Sequence, residues 1–152
     1  MFDIRPADLA EPQTMALLAL HLSGMQANSP ANAVFALDLS AMRSSDLDVW
    51  TAWGGERIVG VGALRTLSPD HGEIKSMRTH PDHLRRGVAA AMLRHIVAAA
   101  RMRGMARLSL ETGSGPAFDP ALTLYRRHGF VDGAAFGDYA KSAFNQFLHL
   151  AL

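Results

Sequence analysis

Cysteine is absent from this 152-residue sequence, so the chain has neither disulfides nor a thiol nucleophile. No apolar run approaches the ~20 residues that a membrane-spanning helix needs, and the segment Met1 to Arg5 lacks a signal-peptide pattern. The formal net charge is only +1, whereas a dedicated nucleic-acid binder usually carries a strongly basic face. These absences predict a cytoplasmic protein with no membrane or nucleic-acid partner.

The length and composition favour a single folded unit. With 152 residues, 49% of them hydrophobic, the chain can bury a core of ordinary size. Internal repeats and low-complexity tracts are not evident in the sequence. We therefore predict one domain over residues 1–152.

The apolar periodicity predicts an alternation of strands and helices. Strands are expected at 2–5, 49–53, 58–64, 73–79, 107–111, 130–131 and 144–150, and helices at about 8–24, 88–103 and 120–128. The first helix would be capped by Asp8, with Leu9, Met15, Leu18, Leu22 and Met25 as its apolar set; residues 31–42 would be helical or irregular. The 107–111 strand should pair parallel to the 73–79 strand. This order predicts an α/β fold around a mixed, partly antiparallel sheet.

The most informative stretch runs from Glu73 to Leu93. A strand passes through a proline turn into Arg85, Arg86 and Gly87, and an alanine-rich helix follows. No Ser, Thr, Asp or Asn stands beside Gly87 to cap that helix, so its first amides lack an obvious side-chain partner. A helix start with a glycine and flanking arginines is physically suited to a phosphate.

This stretch resembles the acyl-CoA-binding core of the GNAT superfamily of N-acetyltransferases. Gly87 and Ala89 match the family signature, whose first polar position here is Leu84. The later landmark of Leu-Tyr, three residues and Gly-Phe matches 124–130, and 109–114 resembles a bacterial subgroup of acetyltransferases assigned from sequence. The resemblance covers nearly the whole chain. It implies a GNAT-like central sheet flanked by helices and acetyl transfer from acetyl-CoA, as co-substrate, to a primary amine of a small molecule or peptide.

The resemblance also implies which residues would bind acetyl-CoA. The strand residues Met77, Arg78 and Thr79 would act through their backbone, with one amide near Met77 donating to the thioester oxygen. The pyrophosphate would be held by Arg85, Arg86, Gly87, Val88, Ala89 and Ala90. Tyr125 would approach the sulfur. The family often has Asn seven residues before this tyrosine, where this chain has Phe118.

Acetyl transfer to an amine needs a base for the amine and an acid for the departing thiolate. Glu73 is the first candidate for the base and Glu111, at the end of the neighbouring strand, is its rival. Strand alternation predicts that Lys75 shares a face with Glu73, Met77 and Thr79 and can pair with either carboxylate. Tyr125 is the candidate acid. Direct attack in a ternary complex is expected, because no cysteine can carry the acetyl group.

The sequence leaves the acceptor, the oligomeric state and the alternative functions undecided. The acceptor is not identified by the sequence; residues 9–50 and 136–145 should shape its pocket, and Tyr139 either lines that pocket or simply packs. Apolar strand residues near the C-terminus suit a homodimer, which the family often forms. No metal is expected, since His80 and His83 lack a third ligand. The alternatives are a catalytically silent acyl-CoA-binding regulatory module and a basic nucleotide-binding domain.

Overall fold

The computed structural model describes residues 1–34, 38 and 40–152. Its strands are β1 (Asp3–Pro6), β2 (Leu47–Gly54), β3 (Arg57–Ser68), β4 (His71–Thr79), β5 (Arg107–Thr112), β6 (Val131–Asp132) and β7 (Gln146–Ala151). Its helices are α1 (Pro12–Asn28), α2 (Val88–Met102) and α3 (Asp119–Arg127), with short 3-10 segments at Ala31–Ala33, Ala41–Arg43 and Pro81–His83. Within these ranges no helix has both the length and the apolar character needed to cross a membrane. The predicted order of elements is confirmed; of the predicted segment 31–42, residues 35–37 and 39 lie outside the described residues.

The strands of the described residues form one sheet in the order β1-β2-β3-β4-β5-β7-β6. β4 and β5 run parallel, and the other neighbours run antiparallel. A parallel pair needs a crossover connection, and α2 supplies it. The predicted α/β fold with a mixed, partly antiparallel sheet flanked by helices is confirmed.

Helix α2 covers one face of the sheet with an apolar stripe. Its buried residues are Val88, Met92, Leu93, Ile96 and Ala100. Two glycines of β3 admit this helix: a β-carbon at Gly62 would lie 2.6 Å from Met92 Cγ, and one at Gly60 would lie 2.6 Å from Val88 Cγ1. The groups that approach β3 most closely at these two glycines are helix side chains.

Helix α1 covers the opposite face. Leu17 and Leu18 pack against a cluster that includes Ile58, Val61 and Ala63 of β3. The buried residues of α1 also include the polar side chains of Thr14 and His21, whereas Met15 is 41% exposed. The predicted apolar set of this helix was therefore wrong in part, because its buried face is rotated towards Leu17.

The boundaries of α1 also differ from the prediction. The helix begins at Pro12, and the Glu11 side chain caps it by accepting from the Gln13 backbone N–H at 3.0 Å. Asp8, the predicted cap, instead accepts from the Ala10 N–H in a turn before the helix. The helix ends at Asn28 rather than near Gly24. Proline is favoured in the first turn of a helix, and Pro12 therefore marks the residue at which α1 begins.

A bulge at Ser76 divides β4 into two halves. Ser76 has a φ of 57°, and the pairing with β3 shifts there, with Lys75 opposite Ala63 and Arg78 opposite Val61. One extra residue reverses the alternation of side chains beyond it. Met77 therefore lies on the α2 face, where its Sδ would be 2.8 Å from a β-carbon at Gly62, and Thr79 follows it. The prediction that Lys75 shares a face with Met77 and Thr79 is wrong; the residue beyond the bulge that shares its face is Arg78.

Candidate active site

The parallel strands β4 and β5 separate after their first three paired residues. Their pairing runs from His71 with Arg107 to Glu73 with Ser109, and the described structure shows no further pairing between these strands. β5 continues along β7 on its other side, while β4 stays with β3. The backbone groups of β4 that face this opening therefore have no strand partner. A cavity of about 800 Å³ occupies the opening.

The cavity brings together nearly all of the residues predicted from the sequence. It is lined by Glu73, Met77, Arg78, Thr79, Arg85, Gly87, Val88, Ala89, Ala90, Glu111 and Tyr125. Arg86 is exposed and lies outside the lining. Leu84 and Phe118, where the chain departs from the family pattern, also line the cavity.

The start of α2 faces the cavity without a side-chain cap. Gly87 precedes the helix with a φ of 84°, and no side chain of the described residues bonds to the first helical amides. The first backbone bond of the helix runs from the Ala91 N–H to the Gly87 carbonyl at 3.0 Å. The N–H groups of Val88, Ala89 and Ala90 are therefore available to an anion, and the dipole of the helix favours one.

Glu73 is engaged by two other side chains. It is 2% exposed. The Tyr139 hydroxyl donates to Glu73 Oε2 at 2.5 Å, and Lys75 Nζ lies 3.5 Å from the same oxygen. Lys75 also donates to the Tyr139 hydroxyl at 2.8 Å. Burial lowers the pKa of Lys75 and raises that of Tyr139. The three groups form a closed cluster, and Tyr139 lies in the cavity wall rather than only in the core.

Glu111 has a different environment. Burial raises its pKa to about 7; the positive charge of Lys75 opposes this effect and the negative charge of Glu73 adds to it. Its Oε2 is buried and has no hydrogen-bond partner in the described part of the chain. Glu111 is therefore a carboxyl group that changes protonation near neutral pH and has an oxygen free to accept a proton.

Tyr125 combines packing with an available hydroxyl. It is 6% exposed, and its ring meets that of Phe130 edge-on at 5.6 Å. Its hydroxyl makes no hydrogen bond within the described ranges, and burial raises its pKa, so the group stays protonated. Phe118 lies edge-on to Phe144 at 5.5 Å and forms an aromatic wall where the family often has Asn.

His21 is a site residue that the sequence reasoning missed. Its Nδ1 accepts from Arg78 Nε at 3.0 Å, and its ring is 7% exposed. Burial lowers the pKa of His21 to about 4, helped by the positive charges of Arg78 and Lys75. The sequence did hold a clue: His21 lies four residues after Leu17 and three after Leu18, which places it on the apolar face of α1. A buried histidine on such a face needs a hydrogen-bond partner.

A metal centre is not indicated at this site. Among the residues that the structure describes, no group of three His, Asp or Glu side chains could hold a metal ion. The rings of His80 and His83 lie edge-on to each other at 5.6 Å in the turn before α2.

Known proteins resemble this chain over its whole length. The sequence pattern of the Acetyltransferase (GNAT) family matches residues 16–130. The uncharacterized N-acetyltransferase YedL of Escherichia coli is 46% identical over 152 residues, which cover 100% of this chain and 96% of that protein. A proposed acyl-CoA N-acyltransferase from Klebsiella pneumoniae has a similar structure, with a TM-score of 0.83, 26% identity and coverage of 100% of this chain and 98% of that one.

A second solved structure shows the same fold at lower identity. It is a GNAT family acetyltransferase from Elizabethkingia anophelis with acetyl-CoA bound, with a TM-score of 0.74 and 16% identity over 99% of this chain and 98% of that one. The family match covers most of the chain and the identity to YedL extends from end to end. The chain therefore belongs to the GNAT family of acetyltransferases and is an N-acetyltransferase.

Proposed function

We propose that this N-acetyltransferase takes its acetyl group from acetyl-CoA and transfers it to a primary amine of a small molecule or peptide by direct attack in a ternary complex. One observation carries the proposal: the opened edge of β4, the uncapped start of α2 and two carboxyl groups all meet at one cavity. The absence of cysteine favours direct transfer over a thioester on the enzyme.

The edge of β4 is suited to the pantetheine arm of acetyl-CoA. Beyond Glu73 the backbone of Met77, Arg78 and Thr79 lines the cavity, and β5 no longer pairs with it. The amide groups of pantetheine can bond to such an edge in the way that an added strand does. Phe118 replaces a polar contact with an aromatic surface, which suits the apolar parts of the arm.

The start of α2 is suited to the pyrophosphate. Gly87 has no side chain to block the approach, and the free amides of 88–90 supply donors at the positive end of the helix dipole. Arg85 lines the cavity and adds charge at its rim. Arg86 lies outside the lining, so its contribution would be a longer-range charge rather than a contact.

The chemistry requires a base that works near neutral pH, because an alkylamine with a pKa of ~10.4 is mostly protonated there. Glu111 takes a proton from the ammonium group, directly or through a water molecule, and its pKa of about 7 makes it a stronger base than an ordinary carboxylate. The nitrogen bonds to the thioester carbon and the carbon–sulfur bond breaks. A backbone N–H near Met77 donates to the thioester oxygen meanwhile.

Tyr125 gives its proton to the departing thiolate and regains one from solvent. A second proton leaves the nitrogen for solvent as the amide forms, and Glu111 later releases its own, so one proton is released per turnover. Burial keeps the Tyr125 hydroxyl protonated, so it is available as a donor to the sulfur while negative charge develops there.

Glu73 suits a positioning role better than the base role that the sequence favoured for it. The oxygen that would take the proton already accepts from Tyr139 and lies 3.5 Å from Lys75 Nζ. That oxygen is therefore already engaged by two side chains of this protein before an amine enters the cavity. Its negative charge also helps to raise the pKa of Glu111.

The first experiment is a thermal shift with acetyl-CoA, free CoA and ATP in parallel. A ligand at a hundred times its Kd stabilises the folded state by about 2.7 kcal/mol, which for a chain of this size means a rise in Tm of roughly 5–10 °C. We expect such a rise with acetyl-CoA and CoA and little with ATP, followed by thiol release when amines are added. Arg85→Met should reduce the rise, and Arg94→Met, on the exposed face of α2, should not. No rise at saturating acetyl-CoA would overturn the proposal.

A further inference from the structure

Arg78 places a positive charge in the cavity wall without a matching negative charge. It lies beyond the Ser76 bulge, on the α1 face of β4, and is half-buried. Its Nε donates to His21 Nδ1 at 3.0 Å, and this is the hydrogen bond that the described part of the chain gives its side chain. In that part no Asp or Glu oxygen lies within 4.0 Å of the guanidinium. The residues left undescribed are Phe35, Ala36, Leu37 and Leu39, which carry no charge.

The histidine beside Arg78 cannot balance this charge. His21 is buried and neutral, because burial and the nearby positive charges lower its pKa to about 4. Its role towards Arg78 is that of a hydrogen-bond acceptor that fixes Nε. The other positive group on this face, Lys75, already has Glu73 as its partner at 3.5 Å. A half-buried cation with no anion is costly, so an anion is expected when the site is in use.

The backbone of α1 comes close to the guanidinium of Arg78 at Gly24. A β-carbon at Gly24 would lie 2.9 Å from Arg78 Nη2, so α1 has a glycine where the terminal nitrogens pass. Glycine inside a helix costs roughly 1 kcal/mol relative to alanine. At Gly24 the helix is less stable for this reason, but the guanidinium of Arg78 fits beside it. With Nε bound to His21, the terminal nitrogens present the planar fork that matches two carboxylate oxygens.

We infer that Arg78, held by His21 and accommodated by Gly24, binds a carboxylate of the acceptor, so that the acceptor is an amine that also carries a carboxylate, of which amino acids are the simplest members. The inference rests on the proposed acetylation of an amine, and it names the chemical class of that amine. His21, Gly24, Met25 and Asn28 of α1 line the same cavity and form the α1 side of this subsite. The sugar-phosphate end of CoA is assigned instead to the start of α2, on the other side of the sheet.

The test uses matched product pairs, each an N-acetyl amino acid and its carboxamide, with glycine, leucine, phenylalanine, serine and lysine as the parent amino acids. Isothermal titration measures each pair on the whole protein, with and without saturating CoA, so that the result does not depend on cofactor binding. We expect at least one carboxylate to bind about tenfold or more tightly than its amide, as hydrogen bonds to a charged group allow. Arg78→Met should reduce this ratio to near one, and Arg94→Met should leave it unchanged.

Gly24→Ala is a second test of the subsite, and it keeps Arg78. The variant should fold, since alanine is a better helix former than glycine. The added methyl group must shift the terminal nitrogens of Arg78, so the ratio should fall severalfold. Equal affinity for both members of every pair, or a carboxylate preference that survives Arg78→Met, would overturn the inference. An aminoalkyl phosphate that binds better than any carboxylate would overturn it as well, as would a loss of CoA affinity in Arg78→Met with the ratio intact.

A failure here can be told apart from a failure of the proposed function. If acetyl-CoA raises the Tm and thiol is released equally fast with amino acids and with their amides, acetyl transfer stands and the carboxylate subsite does not. If acetyl-CoA does not bind, the proposed function fails, while the ratio measured without CoA still decides the role of Arg78.

Discussion

Replacing Glu111 with Gln should make the protein more stable and far less active. The pKa of Glu111 rises from 4.5 to about 7 on folding. Fully counted, at 1.36 kcal/mol for each tenfold change in acidity, this difference costs the folded state about 3 kcal/mol when the carboxylate is ionised. Because Glu111 is only partly buried, solvent screening reduces the cost to about 1–2 kcal/mol.

The direction of this effect depends on pH. A carboxyl group with a raised pKa in the folded state favours folding most fully below its unfolded value of 4.5, and that contribution is lost as the pH rises through about 7. The glutamine side chain of Glu111→Gln does not ionise, so this contribution is missing from the variant. Its Tm should therefore exceed that of the wild type by roughly 2–6 °C at pH 8, and the gap should close towards pH 5.

Activity should change in the opposite sense. For the wild type, kcat/KM for the amine, measured at saturating acetyl-CoA, should rise with pH around a midpoint near 7, as Glu111 ionises. Glu111→Gln should lower kcat by about 10²–10⁴-fold and remove that midpoint, with the affinity for acetyl-CoA nearly unchanged. Thiol release measured from pH 5.5 to 9 gives the profile, and calorimetry gives the Tm.

Glu73→Gln is the matched comparison, because it makes the same chemical change on the neighbouring strand. It disturbs the cluster with Lys75 and Tyr139 and should lower both stability and turnover, but the pH midpoint should persist at a lower value, since the negative charge that helps to raise the pKa of Glu111 is gone. Normal turnover in Glu111→Gln, together with a lost pH midpoint in Glu73→Gln, would refute the assignment and restore Glu73 as the base.

Three further changes test other parts of the site. Tyr125→Phe should lower kcat by about 10²-fold with little effect on acetyl-CoA binding by titration, and unchanged kcat would remove its role as the acid. Gly87→Ala puts a β-carbon on a residue with a φ of 84°, so urea unfolding should show a loss of about 1–2 kcal/mol and acetyl-CoA should bind more weakly. Wild-type values in both measurements would contradict the role given to Gly87 at the start of α2. His21 should contribute a loss of about 3 kcal/mol to the unfolding free energy between pH 6.5 and 4, because the unfolded chain takes up a proton that the buried ring does not. Glu111 acts in the opposite direction over this range, so the measurement is the difference between the wild type and His21→Gln: the wild type should lose about 3 kcal/mol relative to the variant, and a constant difference would contradict this role of His21.

The parts of the fold that the sequence predicted are those fixed by local signals. Helix α2 follows from its apolar stripe, and its uncapped start follows from the absence of a polar side chain beside Gly87. The parallel pairing of β4 with β5 follows from a strand, a long helix and a second strand in succession. Each of these features depends on residues close together in the chain, or on a connection rule that has few exceptions.

The features that the sequence did not predict depend on distant contacts or on competing local signals. The Ser76 bulge has no sequence marker, since serine does not favour a positive φ, yet it decides which face Met77 and Arg78 occupy. The bond between Tyr139 and Glu73 joins residues 66 positions apart, and the one between Arg78 and His21 joins residues 57 apart. Alternation and helical spacing carry no information on such pairs.

The two candidate bases, Glu73 and Glu111, have the same residue type on neighbouring strands, so the sequence alone could not separate them. Glu73 is the last residue of β4 that still pairs with β5, opposite Ser109, whereas Glu111 lies two residues further along β5, where the strands have separated. The last paired position is still enclosed, and there Glu73 accepts from the Tyr139 hydroxyl and lies 3.5 Å from Lys75 Nζ. Beyond the separation Glu111 lines the cavity, where burial raises its pKa more than the charge of Lys75 and a side-chain hydrogen bond with Asn145 lower it. Its Oε2 has no hydrogen-bond partner in the described part of the chain. The point at which two parallel strands part thus gives neighbouring glutamates different surroundings: one is held in a side-chain cluster, and the other has a buried oxygen that no described group binds.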